Sequence, residues 1–73
     1  MKDKNRKILD FIASEWISKA KNQSAFATDH NIDEKTVRSI RYSKDYTIGL
    51  ATIMKICEAR NLKLSEFVKL VDV

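Results

Sequence analysis

Apolar residues recur at three- and four-residue steps near the start of the chain: Ile8, Phe11, Ile12, Trp16 and Ile17. That spacing holds them on one side of a helix and predicts a long first helix from about Lys4 to Lys19. Trp16 lies on the stripe, which assigns it to the core in preference to a ligand-stacking role. Asn22 has the side chain of an N-cap and predicts a second helix, Gln23 to His30, with Phe26, Ala27 and His30 inward. Asp33 caps a third, Glu34 to Tyr42, whose inward residues are Val37 and Ile40. After the polar connector "YSKDYT", a fourth helix near Ile48 to Arg60 presents Leu50, Ile53, Met54 and Cys57. Past Asn61, a fifth from about Leu64 buries Leu64, Phe67, Val68 and Val71. The pattern predicts an all-α chain of five short helices around one core.

The stretch "DHNID" separates the second helix from the third. Asn31 is one of the few residues other than glycine that adopts the left-handed conformation at modest cost, and that conformation ends a helix. Ile32 then drops into the core and Asp33 restarts the helix by capping its first free amides. Ala27 is small enough to let two backbones approach, so the third helix crosses the second at a wide angle.

Composition supports the helical reading. There is no proline and one glycine, Gly49, whereas strand-and-turn folds use both freely. Seventy-three residues make a single domain, residues 1–73, near the lower limit for folding without a staple. Cys57 is the only cysteine, which rules out an intrachain disulfide, starves a zinc site of ligands and points to a reducing cytoplasm. No signal peptide or membrane span is visible, since Asp10 and Glu15 interrupt the N-terminal apolar stretch. One histidine, one cysteine and no convergent carboxylate pair leave no acid, base and nucleophile set, so an enzyme is not expected. No cofactor, metal or small-molecule ligand is implied.

Fourteen basic and ten acidic residues give a net charge of +4, which suits an anionic partner. The excess is uneven: +3 over residues 1–22, neutral over 23–46 and +1 over 47–73. Residues 1–5 are expected to form a flexible basic tail. Lys2, Lys4, Arg6 and Lys7 would either follow a nucleic-acid backbone or minor groove, or stay a frayed, solvated terminus.

On the third helix each residue advances by about 100°. With Val37 and Ile40 inward, Lys35, Ser39 and Tyr42 point outward, Arg38 lies beside them and Glu34 on the flank. Thr36 and Arg41 fall nearer the core boundary. Such a face on an isolated helix is ordinarily a solvated surface, but here a tight turn precedes it.

These residues carry a resemblance. Gln23 to Phe67 resembles the Cro/C1-type (XRE-type) helix-turn-helix family, the lambda-repressor-like DNA-binding fold, with the motif at about residues 22–42. Gln23, Ala27, Thr36 and Ile40 match its pattern outright, and Phe26, Ile32 and Val37 match in kind. Asn31 stands for the family's glycine, and "TIMKICEARNLKLSEF" is similar to its fourth and fifth helices, with Asn61 again in place of glycine. His30 replaces a buried Leu and is expected to be a partly buried core histidine. Arg41 replaces a common Glu, Ser43 a turn glycine, Thr47 a proline and Lys63 a Ser cap, and the first helix fits only with a shift.

The resemblance implies double-stranded DNA as partner, with the third helix entering the major groove. Glu34, Lys35 and Ser39 would face base edges, and Arg38 and Tyr42 share that face. Lys35 or Arg38 can donate to guanine and Glu34 can accept from cytosine, although Glu34 also simply favours a helix's positive end. Asn22 and Gln23 would anchor a phosphate through side chains and free amides, with Thr36, Ser43, Lys44 and Tyr46 as secondary phosphate contacts. The expected function is a sequence-specific transcriptional regulator, binding a palindromic operator as a homodimer. Leu70 and Val73 exceed what one core needs, which makes the fifth helix the expected dimer surface and the first helix the second choice. The rival is a protein-interaction module, such as the antitoxin of a toxin–antitoxin pair.

Overall fold

In the computed structural model, which describes residues 2–72, helix α1 (Lys2–Phe11) is continued by a π-helical segment (Ile12–Ile17). Then follow α2 (Gln23–Asp29), α3 (Glu34–Tyr42), α4 (Leu50–Ala59) and α5 (Leu64–Val71). There is no strand among the described residues, and the all-α expectation holds. Helix α1 packs against both α3 and α5, α2 against α3, and α4 against α5. The first helix is therefore the strut joining the two pairs.

Leu9, Ile12, Phe26, Val37, Ile40, Ile56 and Phe67 are the fully buried large side chains. Each contributes about 1.5–3 kcal/mol by leaving water. Trp16 is core as expected: its ring lies 5.6 Å from Phe67 and edge-on to Phe11 at 5.3 Å.

The first helix differs from the regular one expected. It begins at Lys2, so residues 2–5 of the segment expected as a tail lie in its first turn, and Met1 lies outside the described residues. Its end winds wider, with Ser18 N–H donating five residues back to the Ala13 carbonyl at 3.0 Å. In an α-helix Ile12 and Ile17 would point about 140° apart. The wider turn brings them back towards one face, and both are buried. Leu9 joins the core as well, outside the expected stripe.

The fourth and fifth helices turn differently from the expected registers. Helix α4 starts at Leu50, with Gly49 before it, and buries Ile53, Ile56 and Cys57. Leu50 and Met54, expected inward, are exposed. In α5, Phe67 and Val71 are buried and Val68 half-buried, while Leu64 faces solvent at the helix start. Leu70 is exposed as expected, and Val73 lies outside the described residues.

One turn is built twice. Asn31 has φ 55° and Asn61 φ 57°, both left-handed. At the first, Ile32 N–H donates to the Ala27 carbonyl (3.0 Å) and Asn31 N–H to Thr28 (3.3 Å). At the second, Leu62 N–H donates to Cys57 (2.8 Å) and Asn61 N–H to Glu58 (3.1 Å). Each pair is a Schellman motif, which satisfies the orphan carbonyls at a helix end, and Ile32 and Leu62 supply its apolar contact with the core. The helix restarts differ from expectation. Asp33 occupies the N-cap position of α3, but its side chain makes no capping bond. At α5 the Glu66 carboxylate accepts from Lys63 N–H at 2.9 Å, the half of a capping box that needs no Ser hydroxyl.

Because φ at Asn31 is positive, Asn31→Gly is expected to be neutral or mildly stabilising, and Asn31→Val to cost about 1–3 kcal/mol. Urea unfolding of both variants checks this. Equal stabilities would mean that the turn does not depend on the left-handed residue.

Candidate nucleic-acid interface

Asn22 is extended, and its side-chain Oδ1 accepts from Ala25 N–H at 2.7 Å. That bond starts α2 and leaves the amide's two N–H donors uncommitted on an exposed residue. One residue on, the Gln23 amide reaches the Tyr42 hydroxyl at 3.5 Å. The amino end of α2 thus meets the carboxyl end of α3. Between them Ala27 is buried at 5 % exposure, and the small side chain lets α3 lie close across α2.

On α3, Glu34, Lys35, Arg38 and Tyr42 are exposed, whereas Ser39 and Thr36 are half-buried. Ser39, expected to point outward, therefore sits at the edge of the face. Glu34 and Arg38 stand one turn apart yet form no salt bridge with each other, and Lys35 has none among the described residues. Arg41 lies over the Tyr42 ring, 5.2 Å from its centroid, so the helix ends in a cation beside an exposed phenol.

The connector after α3 carries three further candidates. Lys44 is exposed; Ser43 and Tyr46 are half-buried, and Tyr46 packs on the core. The basic N-terminal residues are less free than expected. Arg6 pairs with Asp10 at 3.0 Å and approaches the Ser43 carbonyl at 3.5 Å, while Lys7 Nζ donates to the Asp72 carbonyl at 2.9 Å. Of Lys4, Arg6 and Lys7, only Lys4 is both exposed and without such a bond among the described residues.

His30 is buried at the end of α2, as a core histidine. Its ring stacks on Phe26 at 3.8 Å, its Nδ1–H donates to the Phe26 carbonyl at 2.8 Å, and its Nε2 accepts from Arg60 Nη1 at 3.2 Å. Arg60 in turn lies 4.2 Å over Trp16, so one guanidinium joins the carboxyl ends of α2 and α4 to the first helix. Burial holds the His30 pKa below its ordinary 6.5, and Arg60 adds to that, against the Phe26 carbonyl and Asp29. Burial likewise raises the Cys57 thiol. No group of three or more potential metal ligands occurs among the described residues.

Sequence reasoning missed two residues here. Asn5 bonds the connector backbone across more than forty positions, and Arg60 meets His30 across thirty. Nothing local marks either partner.

A short helix, a tight left-handed turn and a second helix exposing charged donors across it define a helix-turn-helix domain. A family model described as the Cro/C1-type HTH DNA-binding domain matches residues 17–72, and the chain belongs to that family. It is thereby a DNA-binding domain, as the resemblance implied. No curated protein and no solved structure matches the chain. No helix among the described residues is long and apolar enough to cross a membrane.

The His30 environment predicts a pH dependence. The unfolded chain binds the proton more readily than the folded one, so stability from neutral His30 is complete above about pH 6.5. It falls as pH drops from there towards the lowered folded value. In urea unfolding between about pH 7 and pH 5.5, His30→Leu should lose less stability on acidification than the wild type. An identical pH slope in both proteins would remove His30 as its source.

Proposed function

We propose that the protein is a non-enzymatic, sequence-specific transcriptional regulator of the cytoplasm, which binds a palindromic operator as a homodimer with α3 in the major groove. The observation that carries this reading is the outer face of α3: Glu34, Lys35, Arg38 and Tyr42 are exposed together, and Lys35 and Arg38 have no carboxylate partner among the described residues. Unpaired, protruding donors on a helix aimed by a rigid turn are what base edges require. Lys35 and Arg38 donate to guanine O6 and N7, Glu34 accepts from cytosine N4, and Tyr42 and the half-buried Ser39 complete the edge. Asn22 and Gln23 hold a phosphate through their side-chain amides, with Thr36, Ser43, Lys44 and Tyr46 along the flanking backbone.

Size supports the homodimer. The molecule measures 28 × 28 × 21 Å, and half-sites one helical turn apart are separated by about 34–36 Å. One unit is somewhat narrower than that separation, so two can sit side by side on successive half-sites without clashing. Leu70 at 54 % exposure and Leu64 at 39 % give α5 apolar surface for the pairing.

A second reading has its own support. Leu50 and Met54, one turn apart on α4, are exposed at 60 % and 47 %, and DNA contacts through α3 make no use of them. They suit a protein partner, as in an antitoxin. Binding of a selected duplex at low salt with no gain from a partner favours the regulator.

Lys35→Ala should change which duplexes are preferred, at a cost near 1–3 kcal/mol confined to the preferred site. Gln23→Ala should weaken preferred and altered duplexes by similar factors. Titration of both variants against a set of single-base-pair changes separates the two roles. If Lys35→Ala weakens every duplex equally, Lys35 is a phosphate contact.

A further inference from the structure

The connector between α3 and α4 holds Ser43, Lys44 and Tyr46, yet it has little structure of its own. Among the described residues, no backbone–backbone hydrogen bond involves residues 44–48. What fixes this backbone comes from the first helix. Asn5 Nδ2 donates to the Tyr46 carbonyl at 3.1 Å, and Asn5 Oδ1 accepts from Ile48 N–H at 3.0 Å. A single half-buried side chain thus replaces, on both sides of Thr47, the ladder bonds that a strand or helix would supply. Buried Ile48 and half-buried Tyr46 hold the segment to the core, but apolar packing does not set the direction of peptide planes.

We propose that Asn5 is a positioning residue for DNA-backbone binding: by clamping the peptides on either side of Thr47, it holds Lys44 and its neighbours where the phosphates pass. This rests on the reading of the connector as a phosphate contact. It goes beyond the family match, which begins at residue 17 and does not include Asn5. Lys4, one residue before Asn5, lines the same open groove as Lys44, with Arg6 and the carboxylate of Asp45, so the clamp also holds the connector's lysine beside the cations of the first helix. Preorganisation explains why this matters. A lysine on a loose connector gives up chain entropy when it meets a phosphate, whereas one on a clamped connector has given it up on folding.

The test compares wild type, Lys44→Ala, Asn5→Ala and the double variant on one selected duplex, as the slope of log K against log salt. Lys44→Ala should flatten the slope by about 0.9 for each phosphate that is no longer neutralised. Asn5→Ala, which removes no charge, should flatten it at least as much and weaken preferred and altered duplexes by the same factor. The double variant should be no flatter than Asn5→Ala alone. A smaller folded population lowers the active fraction but leaves the slope unchanged, so the readout separates positioning from stability. Amide exchange gives an independent check: Ile48 N–H should become less protected in Asn5→Ala while Ile40 N–H stays protected. A flattened slope for Lys44→Ala with a wild-type slope for Asn5→Ala overturns the clamp and leaves the phosphate reading standing. Wild-type slopes for both overturn the phosphate reading, and the clamp's role in binding with it.

Discussion

The left-handed turn at Asn31 is the constraint on which the rest of this small fold depends. It ends α2 by feeding the Ile32 amide back to the Ala27 carbonyl, and it places Ile32 against the core. The same turn sets the angle at which α3 leaves, and so decides which way Lys35 and Arg38 point. Ala27 is at once the carbonyl that closes the turn and the small side chain that lets α3 lie close. A bulkier residue there would separate the helices that the turn brings together. With a single glycine in the chain, the work usually given to glycine falls to Asn31 and Asn61, and at the end of α5 to Asp72, at a modest cost in backbone strain.

The contacts of the first helix account for the remaining architecture. Its apolar side joins α3 to α5, its wide final turn brings Ile17 back to the core, and its Asn5 and Arg6 reach the connector. Arg60 completes a second crossing by joining His30 to Trp16. Neither crossing uses an isolated buried charge: the histidine is held neutral and the guanidinium keeps one face towards water. That suits a core too small to offset desolvation with more apolar burial.

Much of this was legible in the sequence because it rests on local rules. The bounds of α3, the cap at Asn22, the left-handed Asn31 and the inward Val37 and Ile40 follow from propensity and period alone, whereas Asn61 was marked only by the glycine it replaces in the family pattern. The errors arise where a register is set by distant partners. Leu9 was hidden by the adjacent stripe of Ile8, Phe11 and Ile12, although the step from Leu9 to Ile12 is itself helical. Leu50 and Met54 fitted an inward face of α4 as well as Ile53 and Ile56 did, and only its neighbours in the fold, α5 among them, decide between them. The π-helical turn has no recognisable local signature, and the roles of Asn5 and Arg60 depend on residues thirty or more positions away.

Cys57 gives the molecule an internal clock. The residue is 3 % exposed, and burial raises its thiol pKa, so the reactive thiolate is scarce while α4 stays packed. A thiol reagent in the surrounding solution therefore meets this sulfur only when the core opens. The pace at which the sulfur is alkylated counts those openings, and it does so in the unaltered chain, on or off DNA.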